Sequence, residues 1–289
     1  MTVILISSKP MALQNAIDVF ETSATVEAEY GDVLVLGTEE FPVLAHHGNN
    51  SHRPCPCTVD NVVSPPACIG LSHLDLDSLG GVLALLGRKP EAVSFWKLAA
   101  FVDINGPHKL GAAGAGALDV ARLQAWWAWS ETHRVFAPRD GSCVDITTQV
   151  EEAEGALCAI LNNDPDLLEA GRVWAAREAQ LEVESFVDGY LSNNVRPGVL
   201  LRVSEMFVNH LYTHGFESFD AVVALNTKTG SITLSYASPT FDQSACGVVQ
   251  TFWGPLAGGH RGIAGSPRDM KCSLSDAREL VEMVRKSGY

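Results

Sequence analysis

Alternation and clustering of apolar positions divide the chain into short buried strands and amphipathic helices. Thr2–Ser7 is an apolar run of strand length, and Met11–Phe20 repeats apolar residues at Leu13, Ala16, Ile17 and Phe20, a helical period. Ala24–Tyr30 alternates only weakly, and Asp32–Gly37 reads as a second buried strand. A strand–helix–strand opening predicts an α/β layer built on a parallel sheet. Ala67–Leu71 is a further strand, followed by Gly80-Gly81 as a turn into the apolar segment Val82–Leu86. Glu91–Ala100 predicts a helix running into a short strand, Leu98–Val102, with Asp103 at its end. The glycine-rich stretch Gly111–Gly116 lacks the spacing of a phosphate-cradling loop and reads as a linker into a helix over Leu118–Ser130.

Two long helical stretches follow, Thr147–Leu161 and Asp166–Leu191, the second long enough to join two domains. The strongest break is Asn193–Gly198, so the expected organisation is an N-terminal α/β domain with its linker helix over 1–195 and a smaller α/β domain over 196–289, with the active site in the cleft between them. In the second domain Val199–Val203 reads as a strand and Glu205–His214 as a helix. Ala221–Asn226 and Ser231–Tyr236 flank Thr227-Lys228-Thr229-Gly230, a hairpin signal. A helix over Cys246–Trp253 and a last one capped at Ser273 or Ser275 complete the pattern.

Composition narrows the chemistry. With 289 residues, 46% hydrophobic and 19% charged, the chain is a globular protein with a sizeable core. A formal net charge of −14 favours a small ligand over long nucleic acid, whose phosphates call for a basic face. Seven cysteines, an odd number, do not form a disulfide framework, and no apolar run approaches the roughly 20 residues that cross a bilayer. The expectation is a soluble, cytoplasmic protein.

Three stretches carry candidate chemistry. His73-Leu74-Asp75-Leu76-Asp77 leaves the end of a strand with one imidazole and two carboxylates at alternate positions, which share a face in extended chain and suit a divalent ion. The competing reading makes Asp75 or Asp77 the cap of the following helix and His73 incidental. Phe41–Cys57 is a loop holding His46, His47, His52, Cys55 and Cys57. A zinc site from His47, His52, Cys55 and Cys57 does not match the usual knuckle spacing. Asp103, at a strand end, is a further ligand or else the opening residue of the Asn105-Gly106-Pro107 turn. His108 stands as a substrate contact or base, and Arg134 and Arg139 as unspecific phosphate partners. Trp126, Trp127 and Trp129 serve packing or a subunit contact, compatible with a homodimer. Finally, Gly258, Gly259, His260 and Arg261, with Arg268 nearby, either cradle an anion or form a tight solvated turn.

Taken together, the hairpin Ala221–Tyr236 with Ala257-Gly258-Gly259-His260-Arg261-Gly262-Ile263-Ala264-Gly265, the segment Ser72-His73-Leu74-Asp75-Leu76-Asp77, the triplet Ala45-His46-His47 and Phe101-Val102-Asp103 resemble the motifs of the DHH phosphoesterase superfamily and its associated C-terminal domain. Ala45 stands where that triplet carries Asp, and the triplet precedes the His-x-Asp-x-Asp segment instead of following it. The resemblance implies a metal-dependent phosphoesterase acting on a short oligonucleotide, cyclic dinucleotide or nucleoside phosphate. His46, His47, His73, Asp75, Asp77 and Asp103 would hold one or two ions, Mn²⁺ before Mg²⁺ or Zn²⁺. His47, Asp75 and His108 would carry catalysis, and Gly258, Gly259, His260, Arg261 and Arg268 the substrate. The rival expectation, motivated by Ala45, is a non-catalytic nucleotide sensor. Hydrolysis of a non-phosphate ester or amide at the same metals is a third.

Overall fold

The computed structural model describes residues 2–286 apart from 31–32, 42, 47–49, 51, 139, 194–195, 239–243, 260 and 268–269. His47, Arg139, His260 and Arg268, all expected to carry function, lie outside the described residues. The chain divides into two compact units. One comprises Met1–Ile104 and Ala112–Trp174, the other Asn105–Gly111 and Ala175–Tyr289. Both mix α and β structure, and among the described residues no helix is long and apolar enough to cross a membrane.

The first unit starts with β1 (Val3–Ser7), α1 (Pro10–Ile17) and β2 (Ser23–Val26), continues through a two-stranded ribbon, β3 (Glu29–Tyr30) and β4 (Val33–Leu34), and reaches β5 (Val43–Leu44) and β6 (Cys68–Leu71). Helices α2 (Leu76–Leu85), α3 (Val93–Asn105) and α4 (Ala117–Thr132), strand β7 (Cys143–Asp145) and helix α5 (Thr147–Leu161) follow, and α6 (Pro165–Glu184) leads at Trp174 into the second unit. The sheet order is β5-β2-β6-β1-β7, parallel throughout except for β7. Its strands are fully buried near the centre, with Ile4, Ile6, Val26, Ile69 and Leu71 sealed from solvent. The strand–helix–strand opening is therefore real, but its second strand is the weakly patterned Ser23–Val26. The stronger-looking run after Asp32 contributes only to the ribbon. The four small or β-branched residues of β2, Ser23, Ala24, Thr25 and Val26, are all buried, between β5 and β6.

Helix α2 is buried on every side. Its Gly80 and Gly81 lie inside the helix and not in a turn before it. A Cβ on Gly80 would stand 2.5 Å from Cys57 Cβ, and one on Gly81 would stand 2.8 Å from Pro56 Cβ. The pair thus lets a 3₁₀ turn, Pro56–Thr58, seat directly on the helix. Asp103 sits in α3, which continues through the expected short strand Leu98–Val102.

The second unit holds β8 (Phe186–Tyr190), β9 (Val199–Ser204), the ribbon β10 (Thr213–His214) and β11 (Glu217–Ser218), the hairpin β12 (Ala221–Asn226) and β13 (Ser231–Tyr236), α7 (Ala245–Trp253), β14 (Gly258–Gly259), β15 (Ile263–Gly265) and α8 (Leu274–Lys286). The sheet order is β14-β15-β13-β12-β9-β8. The predicted hairpin forms in register, Ala221 opposite Tyr236 and Asn226 opposite Ser231. Two expected elements change. α6 stops at Glu184, because Phe186–Tyr190 pairs with Val199–Arg202, and the first unit ends at Trp174, inside α6. Glu205–His214 is not helical; Thr213–His214 pairs with Glu217–Ser218, and buried Arg202 donates from Nε to Leu211 O at 2.7 Å.

Candidate metal centre

The parallel strands of the first unit point their carboxyl ends at one place, where an open α/β sheet builds its site. Glu27 follows β2, His46 lies two residues beyond β5, and Asp77 lies in the first turn of α2 after β6. The 3₁₀ turn brings Cys55 to the same point, and α3 brings Asp103. One donor atom from each of His46, Cys55, Asp77 and Asp103 lies within 4.8 Å of every other. His46 Nε2 stands 3.0 Å from Asp103 Oδ2, 3.3 Å from Asp77 Oδ2 and 3.7 Å from Glu27 Oε1. Asp77 Oδ1 accepts from the Cys57 backbone N–H at 2.9 Å and from the Cys55 thiol at 2.6 Å.

The fit of this set to a cation is tested by what its oxygens lack. Asp77 is only 3% exposed, and its Oδ2, like Asp103 Oδ2, is buried without a well-directed hydrogen bond among the described residues. Buried carboxylate oxygens require hydrogen-bond donors or a cation, because desolvation is otherwise uncompensated. Glu27 is 1% exposed and adopts φ of 50°, the left-handed region that a non-glycine residue enters only when its surroundings hold it there. Burial opposes a charge on His46, but Asp103, Asp77 and Glu27 outweigh it and push the imidazole up to about 10. Without an ion, the centre is an imidazolium among three carboxylates. The hydrogen bond with Cys57, together with burial and the Asp77 charge, pushes the Cys55 thiol far up.

The His-x-Asp-x-Asp segment is split by the fold. Asp75 is the N-cap of α2, accepting from the Ser78 backbone at 2.9 Å while Ser78 Oγ accepts from the Asp75 N–H. His73 Nε2 lies 3.4 Å from Asp75 Oδ2, and both side chains are 46% exposed. Their pairing raises His73 to about 9 and lowers Asp75 to about 2, in each case against the opposing effect of burial. Neither joins the four-donor cluster. Entry into the helix at Leu76 breaks the extended alternation that would have put all three on one face. They do border the same cavity, of about 380 Å³, which also reaches Asp77, Asp103, Trp126, Trp129 and Arg134.

His108 belongs to the second unit. There its ring packs on Tyr212 with centroids 4.5 Å apart, and burial, with the Lys109 charge, lowers its pKa. Gly258 and Gly259 form β14 against β15, and Gly259 takes φ of 152° where a Cβ would meet Ala264 Cα at 2.5 Å. Close strand pairing therefore accounts for that glycine. Arg261 is exposed and its backbone carbonyl accepts from Ala245 at 2.7 Å. Trp126 and Trp127 pack within their unit, on Trp129 and Trp174.

Glu27 escapes the sequence pattern; its one signal is a lone acid at the end of an uncharged strand-length run. Cys55 is by sequence a candidate ligand with His47, His52 and Cys57, but the fold brings it instead to His46, Asp77 and Asp103. No model of a known protein family matches this chain, and no curated protein matches its sequence.

Proposed function

We propose that the protein is a metal-dependent hydrolase of a small phosphorylated substrate, with the His46–Asp77–Asp103 centre as its active site. The observation that carries this reading is the convergence, at the carboxyl edge of a parallel sheet, of the buried Asp77 and Asp103 carboxylate oxygens on one imidazole nitrogen, at 3.3 and 3.0 Å, with the Cys55 sulfur beside them. A divalent cation held there supplies Lewis acidity, stabilising charge on phosphoryl oxygens and acidifying water. Asp103, with its side chain 21% exposed, borders the cavity and leads from the buried centre towards an incoming ligand. A cavity of about 380 Å³ fits a ligand of mononucleotide size or smaller, at the low end of small-molecule sites. Arg134 supplies a charged donor for phosphate at the rim, and His73, paired with Asp75, a second.

The likeness to DHH phosphoesterases supports the same reading through Asp77, Asp103 and His46. It further gives the Gly258-Gly259-Arg261 segment a substrate-binding role, which rests on the sequence motif alone. The deciding experiment is a screen of phosphodiester and phosphomonoester substrates with Mn²⁺, Mg²⁺ and Zn²⁺, run beside Asp77→Asn and Asp103→Asn. Turnover lost in both variants is expected; equal turnover in wild type and variants refutes the assignment. A second reading, a non-catalytic nucleotide sensor with a degenerate metal site, is favoured by Ala45, buried beside His46 where the resemblance calls for a carboxylate. It predicts no bound metal, retained nucleotide binding and no turnover on any substrate.

A further inference from the structure

Resting on the reading of this cluster as a metal centre, we propose that Cys55 binds the ion as a thiolate, making the site a His–Cys–carboxylate centre for Zn²⁺ in preference to Mn²⁺ or Mg²⁺. A buried free cysteine is ordinarily a small hydrophobe among apolar neighbours. Cys55 is 3% exposed, yet its sulfur points at a carboxylate oxygen 2.6 Å away, inside a group of polar donors. Its direction is set by the backbone. Pro54 and Pro56 flank it, and Cys55 caps the 3₁₀ turn at φ −57° and ψ 130°. Thr58 bonds back to its carbonyl through both backbone and hydroxyl, at 2.9 and 2.7 Å. Lys89 Nζ holds the Cys57 carbonyl at 3.0 Å, and Gly80 leaves the room for this turn to sit on α2.

The distances suit one small ion. Tetrahedral zinc with arms of roughly 2.0 Å to nitrogen and oxygen and 2.3 Å to sulfur has ligand-to-ligand edges of about 3.3–3.7 Å. His46 Nε2 already stands 3.3 Å from Asp77 Oδ2 and 3.0 Å from Asp103 Oδ2, and no donor pair of the four exceeds 4.8 Å. Asp77 can bind through Oδ2 while Oδ1 keeps the Cys57 N–H. On binding, the thiol proton now directed at Asp77 Oδ1 leaves to solvent and the sulfur lone pair goes to the ion. Cys57 then positions the thiolate, its own sulfur lying 3.6 Å from that of Cys55. Sulfur is a soft donor, which selects zinc-like borderline ions over the oxygen-seeking Mg²⁺ and Mn²⁺. Zinc also accepts a fifth ligand, and Asp103, the most exposed of the four, borders the cavity from which a substrate oxygen would come.

The test uses the full chain loaded with Co²⁺, a spectroscopic stand-in for Zn²⁺. A sulfur-to-cobalt charge-transfer band in the near ultraviolet is expected for wild type and Cys57→Ser and absent from Cys55→Ser. Zn²⁺ affinity should fall in Cys55→Ser by more than the roughly 10–100-fold typical of removing an outer-shell partner, with Mn²⁺ affinity little changed. Should Cys55→Ser not fold, protection of the wild-type Cys55 thiol from alkylation by Zn²⁺, mapped by mass spectrometry, decides the matter. Cobalt bound with visible bands but no charge-transfer band, or Cys55 alkylated as fast with Zn²⁺ as without, overturns the thiolate and leaves the metal centre standing. Absence of any bound ion overturns both.

Discussion

Replacing Asp77 by Asn separates the metal from the fold. Asn keeps an oxygen acceptor for the Cys57 N–H, so the 3₁₀ turn retains its anchor. In the ion-free protein the substitution removes one attraction and at least one repulsion. With an effective dielectric near 20, the attraction to the His46 imidazolium at 3.3 Å is worth about 5 kcal/mol. The repulsion from Asp103, whose ligand oxygen lies within 4.8 Å, is worth at least about 3 kcal/mol on the same scale, and Glu27 adds to it. The two largely cancel, so ion-free stability should stay within about 2 kcal/mol of wild type. With an ion at 100 times its Kd the wild type gains about 2.7 kcal/mol. For a domain of 150–250 residues that is a rise of about 5–11 °C in Tm. Differential scanning fluorimetry with and without Zn²⁺ or Mn²⁺ should show this rise in wild type and its loss in Asp77→Asn. A full metal-induced rise in Asp77→Asn would refute the assignment of Asp77 as a ligand.

Asp75→Ala, by contrast, removes a helix cap and should cost about 1 kcal/mol in urea unfolding while leaving the metal-induced shift intact; a lost shift would return Asp75 to the ligand set. The His46 pKa stands above its ordinary 6.5, so the imidazolium's stabilising contribution is complete below about 6.5 and lost as pH rises through about 10. An ion needs the neutral ring, so metal affinity should climb with pH across that window by at least tenfold per unit, with at least one proton released in calorimetry in buffers of different ionisation enthalpy; a pH-independent affinity would contradict the geometry. Gly80→Ala should destabilise the first unit by roughly 1–3 kcal/mol or more and weaken metal binding, because its Cβ would collide with Cys57 backbone and side chain. In the second unit Arg202→Met should cost about 3–5 kcal/mol by chemical denaturation, since the buried guanidinium bonds to Glu182 O, Ser185 Oγ, Leu211 O and Thr213 O; an unchanged midpoint would show those acceptors find other donors.

Much of the architecture was legible in local pattern. The apolar run before His73, the helical period after Met11 and the Thr227–Gly230 hairpin each became the element their spacing predicts, because periodicity reports which face is buried. Errors arose where tertiary pairing overrode local preference. Phe186–Tyr190 has enough helical character to extend α6, yet a neighbouring strand claims its backbone. Ser23–Val26 has little hydrophobic signal, yet it lies between β5 and β6.

The sequence by itself determined that the first unit would be a parallel α/β layer, that polar groups would leave the ends of its strands, and that His46, Asp77 and Asp103 were of the kind to hold a cation. Only the tertiary structure decided which of these groups meet. Spacing along a chain specifies a shared face only while the backbone keeps one conformation, and α2 begins between Asp75 and Asp77. Glu27 and Cys55 come 50 and 22 residues before Asp77 in the chain, and their place beside it depends on strand order and on two helix glycines that admit a turn. Close packing, a property of pairs of elements and of neither alone, assembled the centre.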